Sequence, residues 1–168
     1  QQGRQEDVFL LSDAGADKDV TMQGGATSSF IASQSNHLED VGLLSDAGAD
    51  KDITMQGGAA SLFTASQRAH LEEVCLLFDA GADKDIAMQG GATPLFIASQ
   101  SGHLEVVLSL LFDAGADKGI AMQGGGTPWF IAPQQGRQEV ARLLSDATAD
   151  QDIAMQGDQS QQRPATSS

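Results

Sequence analysis

The chain has 168 residues, enough for one domain or a short array. A single Cys excludes a disulfide framework and a Cys-based zinc cluster. Nine basic against 23 acidic residues leave a net charge of −14, which repels phosphate backbones and anionic lipid and argues against nucleic acid or a membrane as partner. No apolar run approaches the roughly 20 residues of a membrane helix, and no basic-then-apolar leader is visible. The chain opens on Gln rather than Met, so it is expected to be a fragment or a processed piece.

The chain repeats. Met22, Met55, Met88, Met122 and Met155 are spaced by 33, 33, 34 and 33 residues, each inside a phrase such as DKDITMQGG. DAGAD recurs from Asp13, Asp46, Asp79 and Asp113, and His37, His70 and His103 share the period. The predicted units are a half copy at 1–23, full copies at 24–56, 57–89, 90–123 and 124–156, and a tail at 157–168. The fourth copy is degenerate. The tail is polar with no apolar period and is expected to be disordered.

Within a copy, the elements follow from local chemistry. Thr93-Pro94 is a helix start, a hydroxyl cap followed by the residue that needs no N–H there. Leu95 to Ala98 fill a helix of about two turns, and Ser101-Gly102 stops it. His103 opens a second helix, whose buried face is Leu104, Val107, Leu110 and Leu111. Gly115 ends it, and Ala116 to Gly125 read as an extended finger leading to the next copy. Two-turn helices are unstable alone. The predicted fold is therefore an all-α solenoid of stacked helix-turn-helix units joined by finger loops.

The third full copy, GATPLFIASQSGHLEVVLSLLFDAGAD from Gly91 to Asp117, resembles the ankyrin repeat. The residues that carry the resemblance are Gly91, Thr93, Pro94, Leu95, Ala98, Gly102, His103, Leu104, Glu105, Val106, Val107, Leu110, Leu111, Gly115, Ala116 and Asp117. The likeness spans residues 1–156. It implies a protein–protein interaction scaffold without catalysis or cofactor, binding on a concave face built from fingers and first helices. The family's first-helix histidine is Phe30, Phe63, Phe96 and Phe130 here, which puts its polar link in doubt and substitutes packing.

Other departures mark weak points. Ser29 stands in a core Leu slot, and Ala69 and Asn36 stand where Gly102 stops the first helix. Ala69 is strained by about 1 kcal/mol if that slot is left-handed. Thr148 replaces a helix-ending Gly, and Pro133 falls inside the last short helix. The 34-residue spacing places one extra residue in 107–110, which predicts a π-bulge or overwinding. Phe78 and Phe112 fill a slot that is Ser in the outer copies, and are read as the apolar choice of a central copy. Trp129 is read as core filling in the Leu slot.

Chemistry is sought and not found. Equivalent histidines on stacked helices lie about 8–10 Å apart, too far to share an ion with bonds of about 2 Å. Asp79, Asp83 and Asp85 do not match the ligand spacing of a calcium loop. No phosphate loop or nucleophile elbow is present. Cys75 is expected near the surface. The candidate partner-binding residues are Asp52, Met55, Gln56, Asp85, Met88, Gln89, Met122 and Gln123, with Gln67, Ser99 and Gln100 beside them. The methionines are read evenly as a partner strip or as packing between fingers. The expected partner is a protein with a basic or amphipathic segment, drawn by the acidic ridge, and the expected state is a monomer inside the cell. A competing reading is a structural spacer or a decaying piece of a longer array, or the targeting arm of a larger enzyme. Near-identical fingers, as left by recent duplication, support it.

Overall fold

A computed structural model describes residues 17–147. Most of the half copy, Thr148, the end of the fourth copy and the tail lie outside the described residues. Among the described residues the ordered elements are helices, and no strand is present. They are α1 (Ser28–Gln34), α2 (Leu38–Asp46), α3 (Ser61–Arg68), α4 (Leu71–Asp79), α5 (Pro94–Ser101), α6 (Leu104–Leu108) continuing as a π-helical turn (Ser109–Asp113), α7 (Pro128–Gln134) and α8 (138–147). First helices stack as α1 on α3 on α5 on α7, and second helices as α2 on α4 on α6. The expected solenoid is what forms.

Caps and stops set these short helices. The Thr27, Thr93 and Thr127 hydroxyls accept the N–H groups of Phe30, Phe96 and Phe130 at 3.2–3.3 Å. Ala60, in the same slot, gives α3 no side-chain cap. Each first helix stops on a left-handed residue: Asn36 (φ 54°), Ala69 (φ 60°), Gly102 (φ 84°) and Gly136 (φ 71°). Ala69 therefore carries the strain expected of it, because its Cβ crowds the following carbonyl.

The core runs between the two columns. Val41, Leu62, Val74, Leu77, Leu95, Val107, Leu110 and Leu144 are all buried in one continuous cluster. Each fully buried Leu contributes roughly 1.5–3 kcal/mol. Ser29 is buried in the slot of Leu62 and Leu95, so copy one forgoes that contribution.

The extra residue of the third copy is absorbed later than 107–110. The N–H groups of Ala49 and Ala82 bond the carbonyls of Leu44 and Leu77, five residues back, at 2.9 Å. The N–H of Ala116 bonds Leu110, six back, at 2.8 Å. The π turn takes up the added residue between core Leu and buried Ala, and the core register is kept. The added residue turns Phe112 outward, 60% exposed, while Phe78 remains half-buried. The apolar residue of this central-copy slot is therefore partly covered in the second copy and exposed in the third. Trp129 departs from its expected core role. It is 53% exposed, with its indole N–H donating to Ser145 Oγ at 3.0 Å. It sits on α7, and no described first helix packs beyond it.

Candidate protein-interaction surface

The fingers and first helices share a second apolar cluster. Phe63, Ala92, Phe96 and Ile97 are buried in it, with Ala59, Met88, Met122 and Ile131 packed against them. Phe63 and Phe96 in the first-helix slot thus replace a polar link by packing, whereas Phe130 in the same slot is 50% exposed and does not.

Each described finger tip is a tight turn of sequence Met-Gln-Gly-Gly. In the third, the Gly91 N–H donates to the Met88 carbonyl at 2.9 Å, and the Met88 N–H donates to the Ala92 carbonyl at 3.0 Å. Gly90 sits third in the turn at φ 102°, a conformation that calls for Gly. Fingers are then bonded to each other. The N–H groups of Gln56, Gln89 and Gln123 donate to the carbonyls of Gly24, Gly57 and Gly90 at 2.6–2.7 Å. A Cβ on Gly58 would lie 2.8 Å from Met88 Cα, and one on Gly91 would lie 2.9 Å from Met122 Cα. Gly58 and Gly91, the second Gly of their pairs, are thus the points where the next finger leans on this one.

The acidic phrase forms a ladder. The Asp52 N–H donates to Asp50 Oδ1 at 2.9 Å, and Asp52 Oδ1 accepts the Asp83 N–H of the next copy at 2.9 Å. Asp19 accepts from Asp50, and Asp85 from Asp117, at 2.8 Å. Within copies, Asp19 donates to Asp17 and Asp85 to Asp83 at 3.0 Å. The ladder stops at Gly119, whose N–H donates to Asp117 Oδ1 at 2.7 Å but which has no carboxylate to pass on.

A third set of links comes from the second-helix start. His70 Nδ1 lies 3.2 Å from the Ser33 carbonyl and His103 Nε2 lies 3.0 Å from the Gln67 carbonyl, each in the preceding copy. Arg137 takes the same slot in the fourth copy and donates from Nε to the Gln100 carbonyl at 3.2 Å. Cys75 is half-buried, its Sγ 3.5 Å from Ser109 Oγ.

The candidate residues divide accordingly. Gln56, Gln67, Gln89 and Gln123 are exposed on the finger and first-helix side. Met55, Met88, Met122 and Gln100 are half-buried. Met88 and Met122 pack against the second apolar cluster, whereas Met22 in the same slot is 62% exposed. Asp52 and Asp85 are half-buried with carboxylates engaged by the next copy. Ser99 is buried, its hydroxyl donating to the Leu95 carbonyl at 2.7 Å, so it lies off the surface.

One residue escaped the sequence reading. Glu73 is fully buried on α4, in the slot of Val106 and Val140. Burial raises its carboxyl above the ordinary 4.5, against lowering by Ser33 and His70. The mismatch of Glu with Val at one repeat position was the available signal.

A family model described as ankyrin repeats (3 copies) matches residues 62–155. The chain belongs to the ankyrin-repeat family. Comparison with curated proteins gives no match. Ankyrin repeats generally mediate protein–protein interaction and are typically non-catalytic. Among the described residues of this ankyrin-repeat chain, no helix is long and apolar enough to cross a membrane, and no group of three His, Cys, Asp or Glu is placed to hold a metal ion.

Proposed function

We propose that this array is a non-catalytic scaffold, monomeric and intracellular, that binds a protein partner along the concave side made by fingers and first helices. The observation that carries the reading is the row of exposed Gln56, Gln89 and Gln123 on successive finger tips, with Gln67 beside it on α3. Their backbones are held by finger-to-finger bonds, so the amide side chains are presented on a rigid frame. Low ordering entropy in such a frame favours binding. The acidic chain, at −14, favours a partner with a basic or amphipathic segment and speeds its approach.

Sameness between fingers would favour a spacer if nothing else required it. Here Asp52, Asp85, Gly58 and Gly91 of the fingers serve contacts between copies, so the recurrence of these residue types does not count against a binding surface. The test is affinity capture with the intact chain and with a Gln56→Ala, Gln89→Ala, Gln123→Ala variant, at low and moderate salt. A partner that survives moderate salt on the parent chain and is lost on the variant supports the scaffold. Equal recovery by both, or recovery only of basic proteins that salt removes, sinks it.

A further inference from the structure

We infer that the joint between copies one and two is a proton-operated joint, closed when the Glu73 side chain is uncharged and loosened when it ionises. Glu73 is 0% exposed and points into the seam between copies, beside Ser33 of α1 and 3.6 Å from His70 Nδ1. Neither carboxyl oxygen makes a well-formed hydrogen bond, and Ser33 Oγ is equally unpartnered. His70 Nδ1 is already 3.2 Å from the Ser33 carbonyl. His70 acts on the carboxyl by charge and by hydrogen bonding, both lowering it, but by less than burial raises it.

An ion buried without a full set of partners is penalised by several kcal/mol, so it takes up a proton or the surroundings open. The direction at Glu73 agrees: burial outweighs Ser33 and His70, and its carboxyl is held above 4.5. The elements packed against α4 carry other charged groups: Arg68 on α3, His37, Glu39, Asp40 and Asp46 at α2, and His103 and Glu105 at α6. Asp40 is paired with His37 at 3.5 Å. Ser33 and His70 are the groups that act on Glu73.

Among the described residues only Glu73 is a fully buried acid in this slot, Asp40 of copy one being partly exposed beside His37. At the next joint Val106 occupies the Glu73 slot, and Val140 occupies it at the third. Copy one is also the copy with Ser29 in the Leu slot. Ionisation therefore acts where apolar packing is thinnest, and copy one separates as a unit.

The folded chain keeps the Glu73 proton to higher pH than the unfolded chain. Stability is full below about 4.5 and falls as pH rises through the raised value. For one linked proton the opening constant of copy one rises by up to about tenfold per pH unit in that window.

The experiment uses the full chain with Glu73, with Glu73→Gln and with Glu73→Val. The readouts are the denaturant midpoint against pH, the ¹³C carboxyl titration of Glu73, and amide exchange of 28–46 corrected for intrinsic rate. Glu73 is expected to titrate above 4.5, with a parent midpoint that falls more steeply with pH than either variant's. Exchange in 28–46 should accelerate with pH in the parent alone. Parallel pH slopes in all three chains, or titration of Glu73 at or below 4.5, would overturn the proposal. If Glu73→Gln does not fold, Glu73→Val carries the comparison, since it reproduces the slot of Val106.

Discussion

Asp52 Oδ1 accepts the backbone N–H of Asp83, 31 residues away, at 2.9 Å. A side chain from one copy thus satisfies a main-chain donor of the next, and the same relation holds for Asp19 with Asp50 and Asp85 with Asp117. The ridge of negative charge is built of structural groups. It still carries the charge on which the proposed steering of a basic partner rests, but Asp52 and Asp85 cannot be altered as if they were loose surface charges.

Asp52→Ala should therefore destabilise the array by about 1–2 kcal/mol, the worth of a partly exposed charge-assisted bond. Asp52→Asn should lose less, since an amide oxygen still accepts. Asp46→Ala, an exposed residue outside the ladder, is the control. Urea midpoints decide: if Asp52→Ala and Asp46→Ala shift equally, the ladder carries no stability.

Gly58 and Gly125 have nearly the same backbone, φ 86° and 84°. A Cβ on Gly58 would sit 2.7 Å from Gln89 N, whereas none of the described residues lies within 4 Å of one on Gly125. Gly125→Ala should lose about 1 kcal/mol to left-handed strain. Gly58→Ala must also push the next finger away and should lose more than about 2 kcal/mol. Similar thermal midpoints for the two variants would mean that finger contact is unimportant.

Ala60 is the uncapped member of a slot that is Thr in the other three described copies. Ala60→Thr should stabilise by about 1 kcal/mol. The gain should appear as slower amide exchange in α3. A loss would show that the buried slot has no room for the hydroxyl.

Ala69→Gly relieves a left-handed Ala (φ 60°) and should stabilise by about 1 kcal/mol. The expected size is limited by the greater freedom of Gly in the unfolded chain. Calorimetry at fixed pH reads it directly, and an unchanged or lower midpoint would remove the strain argument.

Much of this was legible before any coordinates. Repeat spacing, Thr-Pro starts and Gly stops report on local conformation, and local conformation is what a linear pattern encodes. Ala69 in the left-handed region and the π turn were both foreseeable from one copy read against another. What was not legible depended on neighbours. Trp129 sits in a Leu slot but lacks a described layer above it, and Phe112 turns outward because the extra residue is absorbed after Leu110 instead of before it. Asp52 and Asp85 looked like surface acids because nothing in a linear sequence shows which main-chain donor lies across a seam. On the candidate surface, Gln56, Gln67, Gln89 and Gln123 keep an exposed position, Gln100 is half-buried, Ser99 is buried, and Met88 and Met122 pack against the second apolar cluster.

The links between copies are unevenly placed, and that gives the array a preferred way to bend. On the finger edge, backbone bonds from Gln56, Gln89 and Gln123 and the Asp rungs fix one copy to the next at hydrogen-bond length. On the opposite edge, second helices meet largely through side chains such as Val41, Val74, Leu77 and Val107, contacts that have no direction and tolerate sliding. The finger edge is therefore the spine of a stiff-backed spring, and the second-helix edge is its compliant side. A partner that tightens or flattens the curve would do its elastic work on the apolar seam and leave the spine at constant length.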